Sequence, residues 1–393
     1  MRPPSSRAAG ACRRQTAGLA CLAALIIVSA VVYLFFRPGG EPEWRPGTPL
    51  AKKRVKIGVI YTSDAVNEKN GYSHAHEVGV RLMQRELGIG DEQVIRKTSI
   101  DDNNPHAAAH AIRECIAAGA NIIIATSWNY METCEKLAGE HPHIVFAHGS
   151  GHKYNSTNFT NYFGRIYQAR YLSGIIAGLR TATGKIGYVA AMDRENSEVT
   201  GGINAFALGV ESVNSRARVY VRVTHRWFDP LGEIEAAKML IAEGCDVLTQ
   251  HCDTSGPQIA AQEAGVWSIG YNSDMRDEAP EAVLTSTVWN WGVYYSRLVR
   301  SVLDGTFTTE PYFGGLNEGV VGLAPFNEGL LPAGAAEAVA EGRRRIESGE
   351  FDVFDGVMET NDGRTVGEEG GRLADAEIWT GLNWYYRNVV EVR

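Results

Sequence analysis

The sequence predicts an α/β protein of two doubly wound parallel-sheet lobes, preceded by an N-terminal transmembrane helix. Three observations lead there. A chain of 393 residues exceeds what one ordinary hydrophobic core organises. From Val55 onward, short runs rich in Val and Ile alternate with helix-length amphipathic stretches, and the alternation restarts near Ile186. Ahead of that body, Ala17–Phe36 is a run of 20 residues without a charge, enough as a helix to cross about 30 Å of hydrocarbon.

Composition excludes several classes. With 44% hydrophobic and 21% charged residues, the chain is neither disordered nor a polytopic membrane protein. Its net charge of −8 hides an asymmetry: residues 1–54 hold nine Lys and Arg against Glu41 and Glu43, a surplus of seven, so the rest carries −15. A body that acidic repels phosphate backbones, which argues against nucleic acid as a partner.

The N-terminal region reads as a basic cytoplasmic segment at 1–16, an anchor at 17–36 and an extended tether at 37–54. Arg2, Arg7, Arg13 and Arg14 precede the apolar run and favour an N-terminus held in the cytoplasm. The rival is a cleaved signal peptide ending at Val28-Ser29-Ala30, but apolar residues continue to Phe36 past that point, which such peptides rarely do. Cys21 stands near the start of the apolar run instead of at its end, so a lipid-modified cysteine is not expected. The tether holds four prolines among charges. These features predict a single-pass protein of the cell membrane with its body on the extracytoplasmic side.

The first α/β series begins with the run Val55–Tyr61 and a helix at Tyr72–Leu87. Gln93–Ile100, a helix at Pro105–Ala117, Ile122–Ala125, a helix at Met131–Gly139 and Ile144–Ala147 follow. A helix at Arg165–Arg180 then leads to the second series: Ile186–Ala191, Val219–Val223, Val247–Gln250, Val266–Ile269 and Val283–Ser286, with helices between them. Continuous apolar strands separated by helices indicate parallel sheets covered on both faces, joined by right-handed crossovers. Trp289–Asp304 reads as a further helix, ended at Asp304-Gly305. The tail offers strand-like pieces at Gly319–Leu323 and Val353–Met358, a helix at Ala333–Ser348 and a Gly-rich loop at Gly363–Gly371. Six cysteines without a CxxC do not form a disulfide framework in so long a chain. Cys115 and Cys134 are expected as buried free thiols, and Cys245 and Cys252 flank one strand too widely to bridge.

Ligands of open parallel sheets bind beyond the carboxyl ends of the strands, which selects residues without any motif. Asp64 and Asn67 follow the first strand, then Trp128, Asn129 and Tyr130, then Gly149-Ser150-Gly151. In the second series come Asp193, Trp227-Phe228-Asp229, Asp253, Asn272 with Asp274, and Trp289-Asn290-Trp291. Five of these eight ends carry an acid and three carry Trp. That mixture suits a flat uncharged heterocycle, its faces held by aromatic planes and its edge read by carboxylates and amides. An Asn amide matches the N6 and N7 atoms of adenine with two bonds. Sugars use the same residue types, so the pattern leaves sugar and purine both open.

Plainer roles compete for several of these residues. Trp227, Trp267 and Tyr188 suit the core, Asp229 before Pro230 suits a helix cap, and Asp253 and Asp274 suit either a cap or a ligand contact. Trp289 and Trp291, two positions apart at a helix start, are expected to point different ways. His74, His76 and Glu77 lack HExxH spacing and do not share a helical face, so they read as solvated surface and not as a metal site. No GxSxG elbow, P-loop or GxGxxG after the first strand is present, which argues against an enzyme, and nothing calls for a cofactor.

The runs TSWNYMETCEKLA, YFGRIYQARYLSGIIAGL, KIGYVAA, GINAFALGVESVN, WFDP, IGYNSDM and LTSTVWNWGVYY resemble the basic membrane protein family of ABC-transporter substrate-binding proteins, over about Val55 to Phe354. The resemblance implies a type I periplasmic-binding fold, a purine nucleoside or base as ligand, an ABC permease as partner, and hinge closure instead of catalysis. It further implies lobe one at 55–164 plus 288–310 and lobe two at 165–287 plus 311–393, with a hinge near Gly164, Val288 and Glu310. By the same analogy Trp128 stacks with Trp289 or Trp291, Asp253, Asn272, Asp274 and Asn290 read polar edges, Asn129 stands beside Trp128, and Asp64 and Tyr72 contribute from lobe one. Two departures stand out. Nucleoside-binding members carry a Lys just beyond the final strand of the second lobe, where this chain reads Thr287-Val288-Trp289-Asn290, which favours a free base such as adenine or hypoxanthine. Most members are lipoproteins, whereas this chain has no convincing lipid-attachment motif, and its apolar run, as a helical anchor, would do the same tethering. The alternatives are a membrane-anchored sensor ectodomain, a receptor for a sugar-like ligand, and a nucleoside-cleaving enzyme.

Overall fold

The computed structural model describes residues 44–392; the expected anchor at 17–36 and the basic segment before it lie outside them. Among the described residues, no helix is long and apolar enough to cross a membrane.

Residues whose side chains are apolar on both faces form the centre of each sheet. β1 (Ile57–Ile60) and β3 (Ile122–Ala125) are buried at every position. They pair in parallel with each other and, through β4 (Val145–Gly149), with β5 (Phe159–Gly164); β2 (Val94–Lys97) flanks β1. β11 (Tyr312–Gly314) closes the other edge, so lobe one runs β2-β1-β3-β4-β5-β11. Lobe two runs β15-β7-β6-β8-β9-β10-β12. Its strands are β6 (Lys185–Ala190), β7 (Arg218–Val223), β8 (Val247–His251), β9 (Trp267–Asn272), β10 (Val283–Trp289), β12 (Val321–Leu323) and β15 (Val389–Glu391). Only β12 of this sheet runs antiparallel to its neighbour.

Helices cover both sheets and start where sequence chemistry allows. Asn104 accepts from the amides of His106 and Ala107 to begin α2 (Pro105–Ala117), and Asp229 accepts from Gly232 to begin α6 (Pro230–Ala242), each with Pro at the first helical position. Asp229 is thus a helix cap. α1 (Tyr72–Leu87) lies against α8 (Trp291–Asp304), and α4 (Ile166–Arg180) against α5 (Ser197–Val213). The second pair touches backbone to backbone: a Cβ at Gly174 would stand 2.1 Å from the Phe206 carbonyl oxygen. α3 (Met131–Glu140), α7 (Gly256–Ala264), α9 (Ala335–Glu347) and α10 (Asp375–Thr380) complete the set. Cys115 and Cys134 are free and buried, as expected; Cys245 and Cys252, expected not to bridge, are free and buried too.

Several sequence expectations are corrected. β5 was not anticipated, because Thr160 and Asn161 break its apolar run; both are buried, with Thr160 Oγ1 donating to the Glu310 carbonyl at 3.0 Å and Asn161 Nδ2 to that of Lys153 at 3.1 Å. β10 continues through Trp289, so the helix begins only at Trp291. In the expected tail strand Val353–Met358, only Met358 enters a strand, a two-residue pairing with Thr365–Val366.

The chain passes between the sheets three times. It leaves β5 at Gly164 for α4, leaves β10 at Trp289 for α8, and leaves β11 at Gly314 for β12. At the first passage glycine is needed for space: a Cβ at Gly164 would stand 2.6 Å from the Trp289 ring.

Candidate functional site

The carboxyl ends of both sheets face one seam. Its two sides meet where Gly71, just before α1, reaches the loop after β8: a Cβ at Gly71 would stand 2.8 Å from the Asp253 carbonyl oxygen.

On the lobe-one side stand Tyr72 and His76 of α1, Phe163 of β5 and Trp291 of α8. The Trp291 ring stacks on His76 at 4.5 Å and on Trp289 at 4.4 Å, with interplanar angles of 10° and 13°. The expected divergence of the two indoles fails because one ends a strand and the other opens a helix, and the intervening turn at Asn290 brings them face to face. Flanked by His76 and Trp289, Trp291 is fully buried, with its Nε1–H unpartnered. Phe163 leans on Trp289 at 5.1 Å. Tyr72 meets His76 and Trp291 edge-on and donates from its hydroxyl to the Thr126 carbonyl at 2.9 Å.

His76 and Glu77 are therefore not solvated surface. His76 is bonded to the Tyr295 hydroxyl, and burial holds its imidazole well below the usual pKa. Glu77 is also buried and accepts from the Tyr61 hydroxyl at 2.7 Å, with Arg81 and Arg96 against it. Among the described residues no cluster could hold a metal ion.

The lobe-two side carries the polar groups. Asn272 Nδ2 donates to Asp253 Oδ1 at 3.0 Å. The Asn272 backbone is left-handed, φ 69°, a conformation few residues other than glycine adopt. Its side-chain oxygen is buried without a partner. Burial, with Glu233 and Glu198 nearby, holds the Asp253 carboxyl well above the ordinary carboxylate range. A second chain of bonds runs beside it. Trp289 Nε1 donates to the Tyr271 hydroxyl at 3.2 Å, that hydroxyl lies 3.5 Å from Glu198 Oε1, and His251 Nε2 lies 3.4 Å from the same oxygen. Burial pushes Glu198 up to about 7 and His251 well down, so the Glu198–His251 contact is a hydrogen bond to a neutral imidazole. The buried Arg170 guanidinium stands over the Tyr271 ring at 4.1 Å and donates to the Gln250 carbonyl at 2.7 Å.

Of the ten sequence-selected residues, Tyr72, Asp253, Asn272, Trp289 and Trp291 thus gather at the seam. Asp64 is exposed and accepts from Asn67 at 2.9 Å. Trp128 is 44% exposed, its ring 5.5 Å from His152, and Asn129 beside it is exposed. Asp274 turns to the surface and chelates Arg276, which lowers its pKa against the opposing effect of burial. Asn290 donates to the Gly319 carbonyl at 3.0 Å and ties two of the passages together. Sequence reasoning missed His76, Phe163, Glu198 and Tyr271. For Glu198 a signal existed, since it sits in the first turn of the helix that follows β6. A surface depression lined by Asp355, Gly356, Gly370, Gly371 and Arg372 shares none of these residues.

The profile of the ABC transporter substrate-binding protein PnrA-like (Bmp) family matches residues 55–341. The chain belongs to this family. A purine-binding protein of Brucella abortus (strain 2308) is 33% identical over 343 residues, covering 87% of this chain and 95% of that protein. A putative ABC transporter glucose-binding protein of Haloferax volcanii is 32% identical over 311 residues, covering 79% and 76%. Among solved structures, an ABC transporter solute-binding protein from Conexibacter woesei superposes with a TM-score of 0.62 at 20% identity, over 76% of this chain and 98% of that one, a likeness that shows the fold. This Bmp-family member is accordingly a substrate-binding protein of the ABC-transporter type, a ligand binder and not an enzyme.

Proposed function

We propose that this protein captures a free purine base, adenine or hypoxanthine ahead of a nucleoside, outside the cell membrane and delivers it to an ABC permease. The observation that carries the reading is the Asp253–Asn272 pair: the amide nitrogen is spent on the carboxyl, which leaves a buried amide oxygen with no donor in a strained backbone. A neutral heterocycle with an N–H on its edge supplies that donor, and burying the oxygen unpaired costs about 1–3 kcal/mol. Burial deep enough to hold Asp253 and Glu198 toward their neutral forms penalises any unpaired charge there, which favours an uncharged ligand. The aromatic residues beside them suit a flat ring. The stretch Thr287-Val288-Trp289-Asn290 supplies no cation for a ribose. The name of the Brucella relative supports a purine.

Binding bridges the two lobes, and a ligand that prefers the closed form shifts the population toward it. The apolar run at 17–36 supports tethering by an uncleaved helix with the body on the extracytoplasmic side. A sugar is the second reading, favoured by the name of the Haloferax relative and by the suitability of Asp253 for hydroxyl donors.

Calorimetry of the full chain with adenine, hypoxanthine, inosine and glucose tests the assignment. A base is expected to bind tightest, and Trp128→Ala, which removes an exposed ring at the end of β3, to cost about 1–3 kcal/mol of that affinity. Binding of glucose with no heat from any purine overturns the reading. Unchanged purine affinity in the variant removes Trp128 from the site.

A further inference from the structure

The segment after the family profile ends at residue 341 is fastened to lobe two but reaches lobe one. Asn204 of α5 donates to the Trp384 carbonyl at 2.7 Å and accepts from the Tyr386 amide at 2.8 Å; Ser197 Oγ donates to the Leu382 carbonyl at 3.1 Å; β15 pairs with β7. From that base α10 sends Trp379 across the seam. Its Nε1–H donates to the Ser150 carbonyl at 3.3 Å, in the loop beyond β4. Its ring stacks on Phe313 of β11 at 4.7 Å and lies 6.1 Å from Phe163 of β5. Asp375 of the same helix pairs with Arg165 through two bonds of 2.6 and 2.7 Å, and the Arg165 guanidinium covers the other aromatic partner, Phe313, at 4.4 Å.

These partners are placed where they matter for closure. Arg165 opens the first passage between the lobes and Phe313 precedes the third. Phe163, in turn, supports Trp289, whose indole N–H holds Tyr271 beside Glu198. We propose that the carboxy-terminal segment is a hinge brace, in which Trp379 is a positioning residue that holds the Ser150 loop and Phe163 in the closed arrangement and so sets how long a bound ligand stays. An opening movement that separates lobe two from the Ser150 loop breaks the Trp379 bond, whereas a ligand entering the open form does not encounter it. The consequence falls on release and not on capture. The inference rests on the closing-cleft reading, but its structural half does not depend on which ligand binds.

The test uses the full chain, its W379A, W379F and D375N variants, and adenine as probe. W379A is expected to release adenine roughly tenfold faster, the worth of one aromatic contact and one hydrogen bond, with an unchanged association rate. W379F, which keeps an aromatic ring against Phe313 but loses the bond to Ser150, should recover only part of the residence time, and full recovery would show that the bond to Ser150 plays no part in holding the ligand. In ligand-free protein, amide hydrogen exchange at 149–151 and 163–165 should quicken in W379A while the core strands of lobe two stay protected. Wild-type release from W379A, or unchanged exchange in those two stretches, overturns the proposal. Should W379A fail to fold, D375N, which leaves the ring in place and weakens the Arg165 pair, must shift release in the same direction, and equal release rates then overturn it. If the wild-type protein does not bind adenine, the purine reading falls, and the exchange comparison still decides whether the brace exists.

Discussion

Glu198 occupies the first turn of α5 with its carboxyl turned into the seam, and replacing it with glutamine isolates the cost of ionising it there. Burial is the largest influence and raises it from an ordinary 4.5 to about 7, against the opposing pull of Arg170 and the Tyr271 hydroxyl. The sign follows from proton counting. The unfolded chain releases this proton near 4.5 and the folded one near 7, so between those values the folded protein holds more of it. The contribution to stability is complete below 4.5 and is lost as pH rises through 7. At about 1.4 kcal/mol for each pH unit of that gap, the loss reaches roughly 3 kcal/mol on the alkaline side. The side chain keeps 21% of its exposure, so solvent screening makes this an upper figure. Glutamine has no proton to lose. Urea unfolding of the two proteins in parallel from about pH 4 to about pH 9 should show a difference that grows by up to about 3 kcal/mol in favour of Glu198→Gln. Any fixed cost of the amide cancels in the slope. Groups common to both proteins cancel too, apart from Asp253, whose carboxyl Glu198 helps to raise; that coupling adds to the variant's gain at high pH. A difference that stays flat across the range, or that moves toward the wild type as pH rises, would refute the claim that burial governs this carboxyl.

Two further perturbations test the aromatic wall. Trp291→Ala removes a fully buried indole stacked on both His76 and Trp289, and a stability loss of about 3–5 kcal/mol is expected by urea unfolding; a loss under about 1 kcal/mol would mean that the rings do not pack as described. Gly164→Ala places a Cβ 2.6 Å from the Trp289 ring, which should cost about 1–3 kcal/mol and change the near-ultraviolet circular dichroism of the indoles. Unaltered spectra and stability would show that the first passage has more room than the structure gives it.

Much of the fold was legible because parallel strands buried on both faces leave unbroken apolar runs, as in Ile122-Ile123-Ile124. β5 was illegible for the complementary reason: its Thr160 and Asn161 are buried with their side-chain donors bonded to backbone carbonyls, and periodicity cannot register a buried polar residue held in that way. At the seam, the strand-end rule found Asp253, Asn272 and Trp289 because they occupy those ends. It could not find His76, which lies inside a helix and owes its burial to Trp291 and to Tyr295, 219 positions along the chain. Trp379 was out of reach too, since its partners Ser150, Phe163 and Phe313 come from three separate places in lobe one. Local patterns specify elements; the company a side chain keeps across the fold is written in no window of sequence.

The four cysteines among the described residues carry a practical consequence. Two lie in the first α/β series and two in the second, and burial pushes Cys115 up to about 11 and Cys245 up to about 12. A thiol that is both enclosed and protonated is a poor nucleophile, so alkylating reagents and oxidants are kept out until the surrounding structure opens. Each half of the molecule thereby contains its own chemical clock. Mass analysis after a timed alkylation pulse would report which half loosens first, with no label to introduce and no residue to replace.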